Sequence, residues 1–472
     1  MFNFLISDKH TINLDLKKTY LICLSKNLRN DLYNFKIKPE NSKYFLRSQI
    51  FGCIILEKLG VGFIGSGFVA RFHTLSWVGI RNAEITAIYN VREGSARQLS
   101  KLAESLGVGK PKVYTDLREM LSDPSVNAVW ILNPNFMRLE VVKAIAEEAI
   151  QGRTNLIGVC CEKPLARNVD EAEEMVKLVE KAGLLHGYLE NQVFAPSISR
   201  AKEVIWKYGA KYAGRPYLAR AAEEHGGPHS PWFWKPQLSG GGVLLDMTCH
   251  SLEASRSFLL NPEKPKESLK PLAVQSVIAS LKWTKEPYAS KLRRDFGADY
   301  KETPAEDYAL TLVVYEDEDG SIVLSEARTS WSFIGPGLRL TFEVLGPEYS
   351  VSVNSLQQEL NIFFSRNVKI PPSEEFVEKQ AAEQGLMPII PNEAITYGYQ
   401  DENRYMVECF LKGIQPEENW RDGLLITQLM MAAYMSAEKG KRVKFNPETL
   451  KGYRPKVYLG EWKPKSIVEE AE

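Results

Sequence analysis

Apolar and polar positions follow two different patterns along the chain, and the pattern changes near residue 190. Before that point, from Lys58 onwards, short apolar runs alternate with stretches of helical periodicity. Strands that alternate with helices of this length are typical of βαβ units around a parallel sheet. The runs that we predict as parallel strands are LGVGFIGSGF, AEITAIYN, VNAVWILNPN and NLIGVCCEKP, which begin at residues 59, 83, 126 and 155.

The helix predicted after the fourth run has well-defined ends. Asn168 can cap its N-terminus, with Glu171 three residues later, and Gly183 can end it. Between these ends, apolar residues recur at helical spacing and predict one buried stripe, formed by Ala172, Met175, Val176 and Val179. The charged segment EKP at residues 162–164 therefore lies in the loop between a parallel strand and this helix.

The second half of the chain has a period-two pattern instead. The run YALTLVVYEDEDGSIVLSEARTSW, from residue 308, predicts a β-hairpin with Asp319 and Gly320 in its turn. LRLTFEVLG and YSVSVN follow as further strands, and WRDGLLITQLMMAAYMSAEKG, from residue 420, predicts a long amphipathic helix. We therefore predict an α/β fold with an N-terminal, doubly wound parallel sheet and a C-terminal α+β domain with an open, mainly antiparallel sheet.

Composition and charge exclude several classes of protein. The chain has 472 residues, with 59 Lys plus Arg and 59 Asp plus Glu, so charge gives no argument for nucleic acid or an anionic membrane as a partner. The apolar stretch at residues 50–56 is too short to span a bilayer. Six cysteines show no zinc-ligand spacing, and we expect the adjacent Cys160 and Cys161 to be reduced. We predict a cytoplasmic protein without a metal site.

The first 55 residues differ in composition from the rest. They hold one glycine and one proline and are rich in Asn, Lys and Ile. They lack the parts of a secretory signal, and their acidic residues argue against a transit peptide. Two interpretations stay open: a genuine extension that packs on the outside, or a stretch translated from a misassigned start, with the working protein beginning near residues 56–58.

A glycine motif follows the first predicted strand. Residues 65–70 read G-x-G-x-x-A, with Gly65, Gly67, Phe68, Val69 and Ala70 at the start of a helix. The first glycine permits a tight turn, the second lets a pyrophosphate approach the backbone, and the small Ala70 permits close packing of helix and strand. The helix N-terminus then offers N–H groups to phosphates. In its strand–loop–helix context the motif predicts dinucleotide binding. A glycine-rich turn that binds no ligand can have the same sequence pattern.

The end of the second strand bears on the choice between NAD and NADP. NAD-binding sheets carry an acid there for the ribose 2′-hydroxyl, whereas this chain has Asn90, with Arg92 two residues later. The neutral amide would not repel a 2′-phosphate, and the guanidinium can pair with one. We predict NADP or NAD as the cofactor, with a preference for NADP.

A second cluster of candidate residues lies downstream, in SGGGVLLDMTCHSLE. On a helix, the spacing of four places Asp246 and His250 on one face, where the carboxylate can orient the imidazole for general-base chemistry. A structural Asp–His pair in the core would have the same spacing. Just upstream, Trp232 and Trp234 can stack on a sugar or belong to the core.

The order of these motifs resembles one oxidoreductase family, that of glucose–fructose oxidoreductase, inositol 2-dehydrogenase and the rhizopine-catabolism protein MocA. The order is G-x-G-x-x-A, then NPN at residues 133–135, then EKP, then GGGxLxDxxxH, and the resemblance extends over about residues 58–446. It implies a Rossmann domain and a second domain whose open sheet forms a homodimer or homotetramer. It also implies that Lys163 meets both nicotinamide and substrate, that Asp246 and His250 face the substrate, and that Glu162 holds the loop. Asn133, Pro134 and Asn135 would then line the cofactor site.

Some positions depart from the family pattern. Thr248 stands where the family often has glycine, Asn133 replaces Thr, and Arg138 replaces His. Asn90 replaces the usual acid. The positions implied to be catalytic match the family pattern, whereas several positions on the cofactor side differ from it. The departures therefore affect the choice between NAD and NADP more than the predicted reaction.

The resemblance leads to a functional hypothesis and a division of the chain. We expect an extension at residues 1–57, a dinucleotide-binding domain at 58–187, a substrate and oligomerisation domain at 188–460, and a charged tail at 461–472. The function expected is hydride transfer between a nicotinamide and a hydroxyl-bearing carbon of a sugar, polyol or related cyclic alcohol. Two alternatives remain, a non-catalytic dinucleotide-binding regulator and a glycosidase that uses bound NAD transiently.

Overall fold

A computed structural model of the chain describes residues 20–23, 53–56, 58–357, 361–364, 385–388, 390 and 392–464. Near the N-terminus, strands β1 (Tyr20–Cys23) and β2 (Cys53–Leu56) form an antiparallel pair. The rest of the N-terminal segment, on which the two interpretations differ, lies outside the described residues.

The first main sheet contains six parallel strands and confirms the predicted parallel sheet. They are β3 (Leu59–Ile64), β4 (Ala83–Tyr89), β5 (Lys112–Tyr114), β6 (Ala128–Ile131), β7 (Gly158–Glu162) and β8 (Leu185–Leu189). Their spatial order is β5-β4-β3-β6-β7-β8. The order reverses between β3 and β6, and doubly wound sheets bind ligands beyond the carboxyl ends of the strands at such a reversal.

The helices of this region follow the strands as the periodicity predicted. They are α1 (Phe68–Ser76), α2 (Glu93–Ser105), α3 (Leu117–Ser122), α4 (Arg138–Ile150) and α5 (Val169–Lys181). In α5 the Asn168 side chain accepts a hydrogen bond from the Glu171 N–H at 3.1 Å, which confirms the predicted cap. The predicted apolar stripe of α5 is buried, and Gly183 has a left-handed φ of 69° just after the helix.

The second main sheet has seven strands and is mainly antiparallel, as predicted. They are β9 (Leu218–Glu224), β10 (Lys270–Ala279), β11 (Tyr308–Glu316), β12 (Ile322–Ser330), β13 (Arg339–Gly346), β14 (Tyr349–Asn354) and β17 (Val443–Lys444). Strands β15 (Asn361–Phe364) and β16 (Gly385–Pro388) form a separate antiparallel pair. The order is β14-β13-β9-β12-β11-β10-β17, and only β9 and β12 pair in parallel. The β11–β12 hairpin turns at Gly320, whose φ is 79°.

The second half also contains a set of helices, several of which pack against this sheet. They are α6 (Pro196–Val204), continued by a π-helical turn (Ile205–Ala210) and α7 (Lys211–Ala213), then α8 (Pro236–Ser239), α9 (Val243–Leu259), α10 (Tyr288–Phe296), α11 (Glu393–Thr396), α12 (Tyr399–Leu411), α13 (Trp420–Glu438) and α14 (Lys456–Leu459). Every residue of α9 is buried, so this helix is the centre of the second core.

Two features of α12 and α13 go beyond the sequence pattern. We predicted α13 to be amphipathic, but that was wrong, since most of its residues are buried between α5, α9 and β10. Phe410 of α12 and Trp420 of α13 also join the cores of the first sheet. The C-terminal helices therefore pack against both sheets, and the domain boundaries given above stay a prediction.

None of the helices that the structure describes combines the length and the apolar character that crossing a bilayer requires. The cytoplasmic location stays a prediction.

Removal of the Asn168 cap should loosen the first turn of α5. We expect Asn168→Ala to cost about 1 kcal/mol locally, because the Glu171 N–H loses its acceptor. Hydrogen exchange of the Glu171 amide should then be about fivefold faster. Asn168→Ser, which keeps an acceptor oxygen, is the matched control, and equal exchange rates in the two variants would contradict the assignment.

Candidate active site

One cavity of about 690 Å³ lies at the carboxyl ends of the first sheet and brings most of the predicted site residues together. It is bounded on one side by the glycine loop and the ends of β4, β6 and β7, and on the other by the end of β9 and by α9. The predicted residues that line it are Gly65, Gly67, Phe68, Val69, Asn90, Arg92, Asn133, Pro134, Glu162, Lys163, Trp232, Asp246 and His250. Residues more than 180 positions apart in sequence thus face one space.

The glycine loop has the shape that a bound pyrophosphate requires. Gly65 has a φ of 112°, and a Cβ there would lie 2.9 Å from the backbone of Leu132 and Asn133, so a side chain does not fit. A Cβ on Gly67 would meet no atom within 4 Å, so its surface opens into the cavity at the N-terminus of α1. Ala70 is buried beneath the loop, where its small size was predicted to matter. The site therefore fits a dinucleotide, with phosphates at the helix N-terminus.

The end of β4 carries an amide network in place of an acid. The Asn90 side chain donates to the Ser66 hydroxyl at 2.5 Å and accepts from the Arg92 N–H at 2.9 Å. The Ser66 hydroxyl in turn donates to Ser95 at 2.8 Å. Asn90 is thus attached to the glycine loop and holds the backbone of Arg92 beside the cavity.

Glu162 fixes the end of β7 through two hydrogen bonds. Its carboxylate lies 2.8 Å from His73 Nε2 and accepts from the Lys163 N–H at 3.0 Å. Burial would raise the pKa of Glu162, but the bond with His73 and the nearby cations hold it below its usual value. The predicted role in holding the loop agrees with these contacts.

Arg138 holds the same loop through its guanidinium. These contacts give a physical reason why arginine stands here in place of the family's histidine. Its guanidinium is buried and donates to the carbonyls of Asn133 at 3.1 Å, Glu162 at 2.5 Å and Lys163 at 3.3 Å, and also to that of Pro164. It therefore ties the ends of β6 and β7 together. Asn135, which we expected at the cofactor, is buried away from the cavity and donates to the Ser239 carbonyl at 2.5 Å.

Lys163 reaches across the cavity to α9. Its Nζ donates to the Asp246 carbonyl at 3.0 Å and lies 3.6 Å from the Asp246 carboxylate. Burial alone would lower the pKa of Lys163, but the Asp246 carboxylate overrides it and the pKa lies above its usual value. Lys163 is therefore a cation at neutral pH, suited to stabilise negative charge on a substrate oxygen rather than to act as a base.

His250 has a different partner from the one predicted. The spacing of four suggested that Asp246 orients it, but Asp246 pairs with Lys163, and His250 Nδ1 is hydrogen-bonded to Glu190 Oε1 instead. The reason is geometric, since the helix turn directs Asp246 towards β7 while Glu190 follows β8 directly beneath the imidazole. Nε2 faces the cavity, with Glu223 Oε2 at 3.9 Å. Burial, with Lys163, lowers the pKa of His250 to about 4.

Sequence reasoning missed three carboxylate or imidazole groups of the site. Glu190 follows the apolar strand β8, so the same strand-end argument that singled out the EKP segment would have found it. Glu223 ends β9 and receives a hydrogen bond from Gln192 at 2.8 Å. Burial raises the pKa of Glu223 despite His250 and Lys163. His73 lies within α1 and has no sequence signature.

The two tryptophans occupy different environments. Trp232 lines the cavity and stacks on Phe233, with ring centroids 3.7 Å apart. Trp234 was also expected at the substrate, but the structure places it in the core, where its ring packs against Trp331 and its Nε1 donates to the Pro228 carbonyl at 3.1 Å. A buried ring of this kind has no face for a sugar, because neighbouring aromatic rings already cover it.

One group of side chains beside the cavity has ligand types that can bind a metal. Glu190, Cys249 and His250 each offer an atom within 4.8 Å of the others. Glu190 and His250 Nδ1 are already hydrogen-bonded to each other, so we assign no metal to this group.

Comparisons with known proteins agree with the geometry. Residues 59–188 match an oxidoreductase family with an NAD-binding Rossmann fold, and residues 200–352 match the GFO/IDH/MocA C-terminal domain. Levoglucosan dehydrogenase of Pseudarthrobacter phenanthrenivorans is 26% identical over 413 residues, which cover 81% of this chain and 97% of that one. Myo-inositol 2-dehydrogenase of Thermotoga maritima is 30% identical over 200 residues, 42% of this chain and 53% of that one.

Solved structures show the same fold. GenD2 from gentamicin A biosynthesis, in complex with NAD, has a TM-score of 0.66 at 23% identity and covers 87% of this chain and 99% of its own. Levoglucosan dehydrogenase with NADH has a TM-score of 0.60 at 22% identity, with 82% and 99% covered. The two family matches together span more than half of this chain, and the protein is therefore a member of the Gfo/Idh/MocA family of NAD(P)-dependent oxidoreductases.

Proposed function

We propose that this enzyme is a dehydrogenase that acts on a hydroxyl-bearing carbon of a sugar or polyol. The observation that carries the proposal is the convergence of the Lys163 ammonium and the His250 imidazole on one cavity that begins at the glycine loop. The names of the relatives support the substrate class, since they include dehydrogenases of levoglucosan, myo-inositol and a D-glucoside.

Each residue of the site then has a chemical task. When bound, the nicotinamide supplies the hydride acceptor or donor. His250 Nε2 takes the hydroxyl proton during oxidation, and the Lys163 ammonium stabilises the charge that develops on the oxygen. Asp246 holds Lys163 in place, as the contacts of 3.0 and 3.6 Å support.

The substrate end of the cavity supports a polyhydroxylated ligand. Glu223, Gln192 and Asn191 line it with hydrogen-bonding groups, while Trp232 offers an aromatic face. Carboxylate and amide groups can accept from or donate to adjacent hydroxyls, and an aromatic face can cover the C–H face of a sugar ring. This mixture favours a sugar or polyol over an apolar alcohol.

A panel of sugars and polyols, which includes levoglucosan and myo-inositol, tests the proposal through the absorbance of reduced nicotinamide. Net formation of NADH or NADPH with one or more of them is the expected result. Binding of the cofactor without any turnover would indicate the regulator, and cleavage of a glycoside without net reduction of the cofactor would indicate the glycosidase.

Lys163→Ala should abolish most of the turnover and leave cofactor binding largely intact. We expect a loss of about a hundredfold or more, because a positioned group that stabilises the transition-state oxyanion is removed while the phosphates stay at the Gly65–Ala70 loop. Steady-state rates and NADH fluorescence titration measure the two effects. Lys143→Ala, on the surface of α4, is the control, and a similar rate in both variants would contradict the role of Lys163.

For the cofactor, we propose a preference for NADP, supported by the neutral Asn90 and by the position of Arg92 at the cavity. Arg92→Ala should weaken NADP binding about tenfold and NAD binding much less, since one charge-assisted contact is removed. Arg97→Ala, which only breaks a surface pair with Glu93 on the same helix, is the control. A wild type that strongly prefers NAD would overturn the preference.

We also propose that the protein forms a homodimer or homotetramer through the open face of the second sheet. Apolar residues alternate along β11 on that face, where Leu312 and Val314 are only half-buried, and Val277 of β10 is exposed. An apolar sheet face of this kind is typical of an interface. Light scattering should show an oligomer, and Leu312→Arg should shift it to monomer, whereas a monomeric wild type would contradict the proposal.

A further inference from the structure

The hydrogen bond between Glu190 and His250 has properties that a simple orienting contact does not need. Both side chains are almost fully buried, and Glu190 Oε2 has no hydrogen-bond partner among the residues that the structure describes. The carboxyl group therefore makes its one side-chain hydrogen bond to His250 Nδ1. The opposite ring nitrogen faces the cavity, so the imidazole connects the substrate space to a carboxyl group that the substrate cannot touch.

We propose that Glu190 and His250 act as one buried proton-transfer unit, in which Glu190 is a positioning residue that takes up through Nδ1 the charge of each proton exchanged at Nε2. This rests on the proposed dehydrogenase function. During oxidation the substrate O–H bond breaks and an Nε2–H bond forms, while the Nδ1–H bond breaks and an Oε1–H bond forms. A bound nicotinamide would accept the hydrogen of the substrate C–H bond together with its electron pair, while the oxygen electron pair left by the O–H bond forms the C=O bond; the reverse steps would reduce a carbonyl.

The surroundings favour a unit that never holds an imidazolium. Burial raises the pKa of Glu190 well above its usual value and lowers that of His250, so an added proton resides on the carboxyl group rather than on the ring. Lys163 is a cation that faces the Glu190–His250 pair. The carboxyl groups whose charges act on the pair are Glu162, Glu223, Asp246, Glu253 and Glu402.

Two further groups near the pair carry no charge. Burial raises the pKa of the Cys249 thiol and of the Tyr188 hydroxyl well above their usual values, so both stay protonated. Glu190 and His250 share a hydrogen bond, so the two groups titrate as one unit.

The unit has a signature that a structural hydrogen bond would lack. Below the pKa of the unit, Glu190 is protonated and donates to Nδ1, and Nε2 carries the ring proton. Above it, Nδ1 carries the ring proton and donates to the carboxylate, which leaves Nε2 free to accept. The tautomer of His250 should therefore invert with pH, without an imidazolium in between.

Nitrogen-15 NMR of histidine-labelled protein saturated with NADH tests this directly, with His250→Asn to identify the signal. We expect inversion in the wild type and no inversion over the same pH range in Glu190→Gln, whose amide does not titrate. A wild-type imidazolium at neutral pH, one tautomer throughout, or inversion that survives in Glu190→Gln would each overturn the proposal. This readout needs no substrate, so it stands apart from the test of the dehydrogenase.

Kinetics on any sugar that the panel identifies give a second test. Glu190→Gln should remove the limb of the oxidation pH profile that titrates with the unit. It should also lower reduction at neutral pH by about a hundredfold, because Gln cannot supply a proton to Nδ1 when Nε2 gives its own to the substrate. A limb that persists in Glu190→Gln would overturn the proposal.

The matched control is Glu402→Gln. Glu402 is as deeply buried as Glu190, and burial raises its pKa in the same direction. Its carboxyl oxygens have no hydrogen-bond partner among the described residues, so the substitution leaves the contact between Glu190 and His250 in place. Its pH profile should match that of the wild type. If Glu402→Gln shifts the limb as much as Glu190→Gln does, the effect is general to buried acids and the proposal fails.

Discussion

The pairing of charges at the end of β7 is the constraint on which the site depends. Three largely buried charged side chains, Arg138, Glu162 and Lys163, meet there. A buried charge is costly unless it is paired or hydrogen-bonded. Arg138 donates hydrogen bonds to backbone carbonyls, Glu162 is hydrogen-bonded to His73, and Lys163 pairs with Asp246. Each contact satisfies one charge and fixes the position of the next, so the loop has little freedom to move.

That loop also joins the two halves of the molecule. Glu162 and Arg138 belong to the first sheet, whereas Asp246 lies on the buried helix α9 of the second core. The contact of Lys163 with α9 therefore sets the distance between the cofactor side and the substrate side of the cavity. Hydride transfer requires its two carbon atoms to be held close and aligned, so such a contact bears on the chemistry as much as on the fold.

The departures from the family pattern become intelligible in this setting. Arg138 replaces a histidine, yet it uses its extra donors to hold four carbonyls of two adjacent strand ends. Asn90 replaces an acid, yet its amide donates to Ser66 and accepts from the Arg92 N–H. Each departure therefore has its own hydrogen-bond partners within the site.

Much of this protein was determined by local features of its sequence. The parallel and antiparallel strands, the Asn168 cap and the glycine loop follow from periodicity and spacing, which act over a few residues. The candidate roles of Lys163, Asp246 and His250 came instead from the family resemblance. Only the tertiary structure decided that α13 is buried on most of its surface and that Trp234 belongs to the core. It also decided that Glu190, 60 residues away in sequence, and not Asp246 is the partner of His250. The reason is physical: which groups meet at the cavity depends on how α9 and β8 pack together, and no spacing within either element carries that information.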